Sequence, residues 1–218
     1  MEPIVIAVDG PAGAGKSTIC KLIANKLNIE YIDTGAMYRA LTLKVLKQGI
    51  LIDDVEKIMN ILDSTKIDLI NRNVYLDNED VSEEIRTPYI NENVAFIAKI
   101  PEVRDALVVM QRSMAGEKSV IMDGRDIGVR VLKNASLKIF LTASVTERAE
   151  RRYKEFKEKG LDVNIQGVIS DIKERDRVDT TRSITPLKQA EDAILVDTTG
   201  KGIEEVVCEI ISLLKESR

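Results

Sequence analysis

The residues best suited to chemistry form one glycine-rich stretch near the start of the chain, Gly10-Pro11-Ala12-Gly13-Ala14-Gly15-Lys16-Ser17. It fits G-x-x-x-x-G-K-[ST], the pattern of the phosphate-binding loop called Walker A. Glycines let the backbone turn so that successive N–H groups face one anion. The Lys16 ammonium can reach the β- and γ-phosphates of a nucleotide, and the Ser17 hydroxyl can hold Mg²⁺. The stretch therefore predicts binding of a nucleoside triphosphate.

The segments on either side are those that such a loop requires. Residues 4–8 are a run of mostly β-branched apolar residues, typical of a strand buried on both faces. Apolar residues then recur at helical spacing from Ile19 to Leu27, and Asn28 lies where a helix can end. The N-terminus of that helix would point its partial positive charge and unpaired N–H groups at the phosphates.

Composition excludes several classes of function. The chain has 218 residues, of which 44% are hydrophobic and 31% charged, so it can bury a sizeable core. Its net charge of −4 argues against a nucleic-acid partner. The absence of histidine from the sequence excludes His-based triads and His-ligated metals. Phosphoryl transfer survives that absence, because it depends mainly on positioning and positive charge.

The apolar runs are too short to span a membrane, and the two cysteines offer neither a disulfide framework nor a metal-binding spacing. Cys20 and Cys208 both fall in amphipathic helical stretches, so we expect small buried thiols. We expect a cytoplasmic monomer whose partners are small-molecule substrates, with no nucleic-acid and no membrane partner.

Short apolar strands alternate with helices along the chain. The strands are expected at about 4–9, 29–32, 119–123, 137–141 and 193–197. This alternation predicts an α/β fold of the P-loop NTPase type, three layers (α/β/α) around a five-stranded parallel core sheet. In such folds ligands bind at the carboxyl ends of the strands. The charged residues that follow strand ends are therefore expected to converge on the phosphate loop; they are Asp9, Asp33, Asp123, Arg125 and Asp126.

The helices are expected at about 36–48, 53–62, 90–99, 102–116, 144 onward and 162–177, with a last one closing the chain. Asp53 and Glu56 have the spacing of a capping box. Between Lys66 and Val81 apolar and polar residues alternate around Asn71-Arg72-Asn73 and Asp77-Asn78, which predicts a small antiparallel hairpin inserted into the core. Simple packing and closure over a substrate both stay open as its role.

Residues 147–188 carry eleven Lys and Arg against nine Asp and Glu, in a chain that is acidic as a whole. Arg175, Asp179 and Arg182 are spaced i, i+4 and i+7, so they share one helix face if the helix continues that far. Arginine has the planar fork that matches phosphate oxygens. Several arginines reaching one cleft would neutralise two phosphate-bearing substrates, which one lysine alone would not.

Four segments of the chain resemble the bacterial cytidylate (CMP/dCMP) kinases. They are residues 33–39 (D-T-G-A-M-Y-R), 84–88 (E-I-R-T-P), 123–128 (D-G-R-D-I-G) and 172–176 (I-K-E-R-D). The match runs nearly end to end, and the D-G-R-D-x-G segment and the hairpin insertion distinguish it from adenylate and thymidylate kinases. It implies transfer of the γ-phosphoryl group of ATP to CMP or dCMP, with ATP and Mg²⁺ as cofactors.

The resemblance also implies the site residues. ATP would be bound by Gly10, Pro11, Ala12, Gly13, Ala14, Gly15, Lys16, Ser17 and Thr18. The acceptor nucleotide would be bound by Thr34, Arg39, Arg112, Arg125, Asp126, Arg175, Asp179 and Arg182. Catalysis would fall to Lys16, Arg125, Arg148, Arg151, Arg152 and Arg182. Mg²⁺ would be held by Ser17 and Asp123, partly through water.

Within this set, Arg39, Arg125, Arg175 and Arg182 would bind phosphate, and Asp179 the ribose. Arg112 and Asp126 would read the cytosine edge, with the carboxylate accepting from the exocyclic amine. Uracil presents an acceptor there and would face that carboxylate without a proton between them. The chain has Ala95 where the family often has Ser beside the pyrimidine, which leaves base selectivity open.

By the same resemblance the chain is one kinase domain with three regions. The core would comprise residues 1–33, 117–147 and 183–218, and the region that binds the monophosphate, with its insertion, residues 34–116. Residues from about 148 to 182 would form a helical lid that closes over ATP and keeps water from the transferred group.

Other functions stay open on the sequence. A small-molecule P-loop kinase could use a different acceptor, such as UMP or a shikimate-like hydroxyl compound. A regulatory nucleotide sensor would bind ATP without turnover. A GTP-binding switch should carry N-K-x-D for guanine, and the one Asn-Lys pair, Asn25-Lys26-Leu27-Asn28, lacks the Asp.

Overall fold

A computed structural model of the chain describes residues 2–70, 73–158, 160–182 and 184–217. The strands are β1 Val5–Asp9, β2 Glu30–Asp33, β3 Ile67–Ile70, β4 Asn73–Leu76, β5 Glu79–Asp80, β6 Val120–Gly124, β7 Leu137–Thr142 and β8 Ile194–Asp197. The α-helices are α1 Lys16–Leu27, α2 Thr34–Lys47, α3 Val55–Asp63, α4 Pro88–Ala98, α5 Pro101–Ala115, α6 Val145–Glu158, α7 Ile165–Thr181 and α8 Ile203–Glu216. A 3₁₀ turn spans Glu84–Arg86 and a π-helical turn spans Ile127–Val131.

One compact unit comprises Met1–Tyr31 and Glu117–Arg218. Its parallel sheet has the strand order β2-β6-β1-β7-β8, with β1 at the centre. Asp9, the last residue of β1, aligns with Gly124 of β6 and with Phe140 of β7. Helices flank the sheet, so the predicted α/β fold with a five-stranded parallel core is confirmed.

The burial of each strand follows from its place in the sheet. Every residue of β6 is buried, and β1 is buried from Ile6 to Asp9. Helices α1 and α8 contribute Ile23 and Ile210 to the same apolar core. The last strand, β8, lies at an edge and leaves Leu195 exposed. A strand covered on both faces reads as a continuous apolar run, which is why the sequence pattern predicts the central strands well.

The second compact unit comprises Ile32–Gly116. It contains α2, α3, α4 and α5 around a small antiparallel sheet of order β3-β4-β5. The predicted antiparallel insertion is thus confirmed, and it has a third short strand. Asp77 and Asn78 join β4 to β5 with φ of 51° and 73°, a left-handed pair that suits a two-residue hairpin turn. Asn71 and Arg72, expected at the first turn, lie outside the described residues.

Helix ends follow local capping chemistry, and one prediction of a cap is wrong. Asn28 ends α1 with a φ of 52°, as its position indicated. Helix α2 begins before Ala36, because the Asp33 side chain accepts from the Ala36 backbone N–H at 2.9 Å. Helix α3 has no Asp53–Glu56 capping box: Asp54 is its cap and accepts from the Lys57 N–H at 3.2 Å.

The two cysteines differ in environment. Cys20 is buried on α1, as expected, whereas Cys208 is exposed, so the prediction of a buried thiol at 208 is wrong. The apolar stripe of α8 runs through Val206, Val207 and Ile210 and leaves Cys208 on the other side of the helix. Among the described residues, none of the helices has the length and apolar character needed to cross a membrane.

Candidate active site

The phosphate loop connects β1 to α1, and its backbone adopts conformations that only glycine takes readily. Gly10 has a φ of 151°, and a Cβ there would lie 2.0 Å from the Leu141 carbonyl oxygen. Gly15 has a φ of 88° and is the cap residue before Lys16, the first residue of α1. The loop therefore presents backbone N–H groups and a helix N-terminus to the same space, the arrangement that binds phosphate.

Lys16 is buried in this loop, with 6% of its surface exposed. Its Nζ donates to the carbonyl oxygens of Gly10 and Pro11 at 2.7 and 2.8 Å. Burial and then the charge of Arg125 lower the pKa of the Lys16 ammonium to about 7, against the opposing effect of Asp123, Asp179 and Asp9. A triphosphate beside the ammonium would favour its charged form.

Ser17 and Asp123 bring oxygen atoms together beside the loop. The Ser17 hydroxyl donates to Asp123 Oδ2 at 3.1 Å, and the Tyr31 hydroxyl donates to Asp123 Oδ1 at 2.8 Å. Asp123 is buried near the end of β6. Hydroxyl and carboxylate oxygens are the ligands that Mg²⁺ prefers, and it keeps several waters when bound. The donor set therefore fits Mg²⁺.

Arginines converge on Asp179 in the same unit. Arg125 Nε donates to Asp179 Oδ2 at 2.8 Å, and Arg182 lies 3.8 Å from the other carboxylate oxygen. Burial alone would raise the pKa of Asp179, but Arg125, Arg175 and Arg182 together lower it. For Arg125 the directions are reversed: burial alone would lower the pKa of the guanidinium, but the carboxylates of Asp179 and Asp123 raise it. Three cations around one carboxylate leave excess positive charge for an anionic ligand.

Arg175, Asp179 and Arg182 come together because α7 extends further toward the C-terminus than the sequence suggested. The helix begins at Ile165 and continues to Thr181 rather than ending near residue 177. Arg175 and Asp179 are one turn apart within it, and Arg182 is its cap residue. Arg148 donates both to the Ala12 carbonyl of the phosphate loop and to Asp176, the residue after Arg175, so α7 lies beside the loop at this point.

Arg148 connects three elements around the loop. It is 4% exposed, and its guanidinium donates to the Ala143 carbonyl at 3.0 Å, the Ala12 carbonyl at 2.9 Å and Asp176 at 2.7 Å. Ala12 belongs to the phosphate loop, so Arg148 ties that loop to α6 and α7. This contact joins residues 136 positions apart and has no signature in the local sequence.

Arg151 and Arg152 have different surroundings from Arg148 although all three lie on α6. Arg151 donates to the hydroxyl and the carbonyl of Thr198, both at 2.9 Å, and to Glu147 at 3.1 Å. Arg152 donates to Glu155 at 3.3 Å, and its guanidinium carbon lies 4.6 Å from the centre of the Phe156 ring. The structure therefore gives the three predicted lid arginines three separate sets of contacts.

In the second unit, Thr34 and Arg39 both lie on α2. Thr34 is buried at the first position of the helix, next to the capping residue Asp33. Arg39 is half-buried, and its Nε donates to the Asn91 side chain at 3.2 Å. A Cβ at Gly35 would lie 2.9 Å from Arg39 Nη1, so the small residue makes room for the guanidinium.

Helix α5 carries two arginines with opposite burial. Arg112, the sequence-predicted base reader, is exposed in the last turn. Arg104, which the sequence reasoning missed, is 2% exposed. It donates to the Ala98 carbonyl at 3.0 Å, and its guanidinium carbon lies 5.8 Å from the Tyr38 ring centre. The missed signal is periodicity, because Arg104 shares the apolar stripe of the helix with Leu107 and Val108.

Comparison with known proteins agrees with this geometry. The family model described as cytidylate kinase matches residues 6–216. A protein named cytidylate kinase from Alkaliphilus oremlandii (strain OhILAs) is 56% identical over 215 residues, covering 99% of each chain. A second of that name, from Clostridioides difficile (strain 630), is 52% identical, covering 97% of this chain and 98% of its own.

Solved structures with low sequence identity share the fold. A gluconokinase from Sinorhizobium meliloti 1021 is 16% identical with a TM-score of 0.51, covering 98% of this chain and 93% of its own. At that level of identity the likeness concerns the fold alone.

Proposed function

The chain belongs to the cytidylate kinase family, and from this premise we propose that it transfers the γ-phosphoryl group of ATP to CMP or dCMP, giving CDP or dCDP and ADP. One observation carries the proposal beyond the family. Ser17 of the phosphate loop donates to Asp123 at 3.1 Å, and Arg125, two residues further along, pairs with Asp179 at 2.8 Å, so the loop and the arginine cluster are joined through one short segment. A reaction between two phosphorylated nucleotides needs positive charge on both sides of the transferred group.

On the ATP side, the loop residues Gly10 to Thr18 would bind the triphosphate through backbone N–H groups. Lys16 would exchange its two carbonyl partners for β- and γ-phosphate oxygens. Ser17 would hold Mg²⁺ directly and Asp123 partly through water. When bound, the ion neutralises phosphate charge.

On the acceptor side, Arg125, Arg175 and Arg182 would bind the phosphate of the monophosphate, and Asp179 would bind the ribose. Their clustering around one buried carboxylate supports this assignment. Thr34, Arg39 and Arg112 keep the acceptor-binding roles that the resemblance implies. Residues 34–116 are proposed as the region that binds the monophosphate, and residues 148–182 as the lid; Lys159 of that lid lies outside the described residues.

The three arginines of α6 would divide the work. Arg148 would keep the loop in shape through the Ala12 carbonyl. Arg151 and Arg152, which are less buried, would supply charge to the transferred group after exchanging their protein partners. Supplying positive charge where negative charge develops is the main catalytic contribution in phosphoryl transfer.

We further propose Arg104 as a determinant of acceptor binding alongside the exposed Arg112. Burying a guanidinium is costly unless it is paired or packed, and Arg104 is packed against the Tyr38 ring. A buried, oriented guanidinium is better placed to discriminate between ligands than a solvated one. Replacing each of the two arginines by Met would separate their contributions to the KM for CMP.

The base preference provides a direct prediction. Asp126→Asn should lower kcat/KM for CMP by about 10- to 100-fold, because the amide nitrogen would face the exocyclic amine donor of cytosine. The same amide can donate to the uracil carbonyl, so kcat/KM for UMP should rise. The ratio of kcat/KM for CMP to kcat/KM for UMP should therefore fall by more than kcat/KM for CMP alone. Steady-state kinetics with CMP and UMP measure both quantities.

The matched control for this substitution is Asp171→Asn. Asp171 is exposed on α7, so removal of its charge should leave kcat/KM for both CMP and UMP unchanged. An Asp126→Asn variant that loses activity equally on CMP and UMP would assign Asp126 a general structural role and contradict base reading.

The experiment that tests the function itself compares acceptors. ADP formation is followed with ATP, Mg²⁺ and, in parallel, CMP, dCMP, UMP or AMP. We expect CMP and dCMP to give the largest kcat/KM. A preference for UMP would favour a kinase with a different acceptor, and tight ATP binding with no ADP from any monophosphate would favour a nucleotide sensor.

A further inference from the structure

Asp9 is a buried carboxylate to which the roles above assign nothing. It is the last residue of β1, directly before Gly10 of the phosphate loop, and it is 6% exposed. Its two oxygens accept from two successive backbone N–H groups, Ile127 to Oδ1 and Gly128 to Oδ2, each at 2.8 Å. Both donors lie in the π-helical turn that follows Asp126. One side chain thus joins the start of the phosphate loop to the end of the D-G-R-D segment.

The backbone carbonyl of Asp126 accepts from the Arg130 N–H at 2.8 Å, and the N–H groups of Ile127 and Gly128 bond outside the turn. The first N–H groups of a helical turn have no partner within the turn and must be satisfied from outside it. Asp126, the residue before the turn, makes no side-chain capping hydrogen bond to it. The Asp9 carboxylate supplies that cap from β1, with one oxygen for each of the two N–H groups.

The packing around this contact is close. A Cβ placed on Gly128 would lie 3.2 Å from Lys138 Cδ and 3.5 Å from Asp9 Oδ2. Gly128 therefore lies beside both the Lys138 side chain of β7 and the Asp9 carboxylate, and a shift of the turn away from β1 would break the two hydrogen bonds.

We propose that Asp9 is a positioning residue for phosphoryl transfer, which holds the segment carrying Arg125 and Asp126 in register with the phosphate loop. The proposal rests on the proposed function of that segment in binding the acceptor nucleotide. Asp9 itself touches no substrate in this scheme. Misplacing a binding group by about 1 Å can cost 10²-fold in rate, so such a contact matters for catalysis without being part of the chemistry.

The electrostatics of Asp9 agree with a functional rather than a stabilising role. Burial raises its pKa to about 6, against the two backbone hydrogen bonds; the carboxylate of Asp126 raises it as well, while the Lys16 ammonium lowers it. The Lys138 ammonium, whose side chain passes Gly128, is paired with Asp192 at 2.6 Å. At pH 8 Asp9 is therefore ionised, although burial disfavours that state.

The test is the Asp9→Asn variant, measured at pH 8 in two ways. The carbonyl oxygen of an asparagine can accept from one of the two N–H groups, and its amide NH₂ would then face the other N–H group. We expect the amide proton resonances of Ile127 and Gly128 to change, with at least one losing the downfield shift of a hydrogen bond to a carboxylate. We expect kcat/KM for CMP to fall by about 10- to 100-fold, while the KM for ATP changes by less than about threefold.

Two further variants keep the proposal falsifiable. Asp171→Asn makes the same chemical change on the exposed side of α7 and should alter neither readout. Asp9→Glu keeps the carboxylate but moves its two oxygens by one methylene, so it should reproduce the kinetic pattern if Asp9→Asn does not fold.

The outcomes are distinct. Changed amide resonances with unchanged kinetics would overturn the proposal. A KM for ATP that rises as much as the KM for CMP would overturn it as well. A wild-type protein that makes no ADP with any monophosphate would refute the proposed function instead. In that case CMP affinity, measured by calorimetry in wild type and Asp9→Asn, still tests the positioning role, and equal affinities would overturn it.

Discussion

Replacing Lys16 with Met should abolish phosphoryl transfer, lowering kcat by about 10³-fold or more, while leaving the fold intact. The ammonium is the one charged side chain inside the phosphate loop, and it would meet the charge that develops on the transferred group. Rates with CMP as acceptor, together with circular dichroism, check the two parts of this prediction.

The same substitution should increase stability at neutral pH. Lys16 has its pKa lowered to about 7 in the folded state, from 10.5. Between these values the unfolded chain binds more protons than the folded one, so this residue makes stability rise with pH from about 7 to 10.5. Below pH 7 its full cost is present. Lys16→Met should therefore raise the free energy of unfolding most at or below pH 7, and the difference from wild type should shrink toward pH 10.5.

Lys26→Met is the matched control for both measurements. Lys26 lies on the same helix, but its ammonium is exposed and pairs with Glu204 at 2.8 Å. Exposed pairs contribute little to stability, and this one lies outside the loop, so activity should be unchanged. A Lys16→Met variant that keeps more than a tenth of wild-type activity would contradict the role assigned to the loop.

Arg182→Ala should lower kcat by about 10²–10³-fold, the second largest effect that we expect. The side chain of Arg182, at the end of α7, is 6% exposed; it donates to the Thr185 carbonyl at 2.6 Å and lies 3.8 Å from Asp179. Its charge would stabilise the transition state more than the bound substrates, so kcat should fall more than the affinity for CMP. Single-turnover rates and CMP binding measured separately provide the comparison.

Arg177→Ala serves as the control for Arg182. Arg177 is on the same helix, 64% exposed, and pairs with Glu174 at 2.6 Å. Both substitutions remove a guanidinium group from the same part of the chain, but that of Arg177 is exposed whereas that of Arg182 lies beside Asp179. Equal losses in both variants would indicate a general effect on α7 and contradict a transition-state role for Arg182. Arg182→Lys should recover part of the rate, since it restores charge but not the planar fork.

The features that sequence predicted well are those that local chemistry determines. Gly10, Gly15 and Lys16 have types and spacing that only a phosphate loop explains, and the strand and helix around them have clear periodicities. The central strands are apolar throughout because helices cover both faces of the sheet. The D-G-R-D segment is recognisable for a similar reason, since its first two residues end a buried strand and its charged pair follows directly.

The features that sequence missed depend on tertiary contacts or on a small shift in helix phase. Arg148 reaches the Ala12 carbonyl across 136 positions, and no local pattern encodes that pairing. Asp9 caps a turn 118 positions away for the same reason. Arg104 and Arg112 differ by two turns of one helix, and only the phase of the apolar stripe distinguishes the buried arginine from the exposed one. Asp54, and not Asp53, caps α3, because the helix starts one residue later than the sequence pattern indicated.

The most direct test of the account is ³¹P NMR of a mixture of ATP, CMP, Mg²⁺ and the wild-type protein. We predict that the γ-phosphate signal of ATP is lost as the β-phosphate signal of CDP appears in equal amount, with little inorganic phosphate. Loss of the γ-phosphate signal to inorganic phosphate at the same rate with and without CMP would contradict transfer between nucleotides, and so would unchanged ATP under conditions where it is bound.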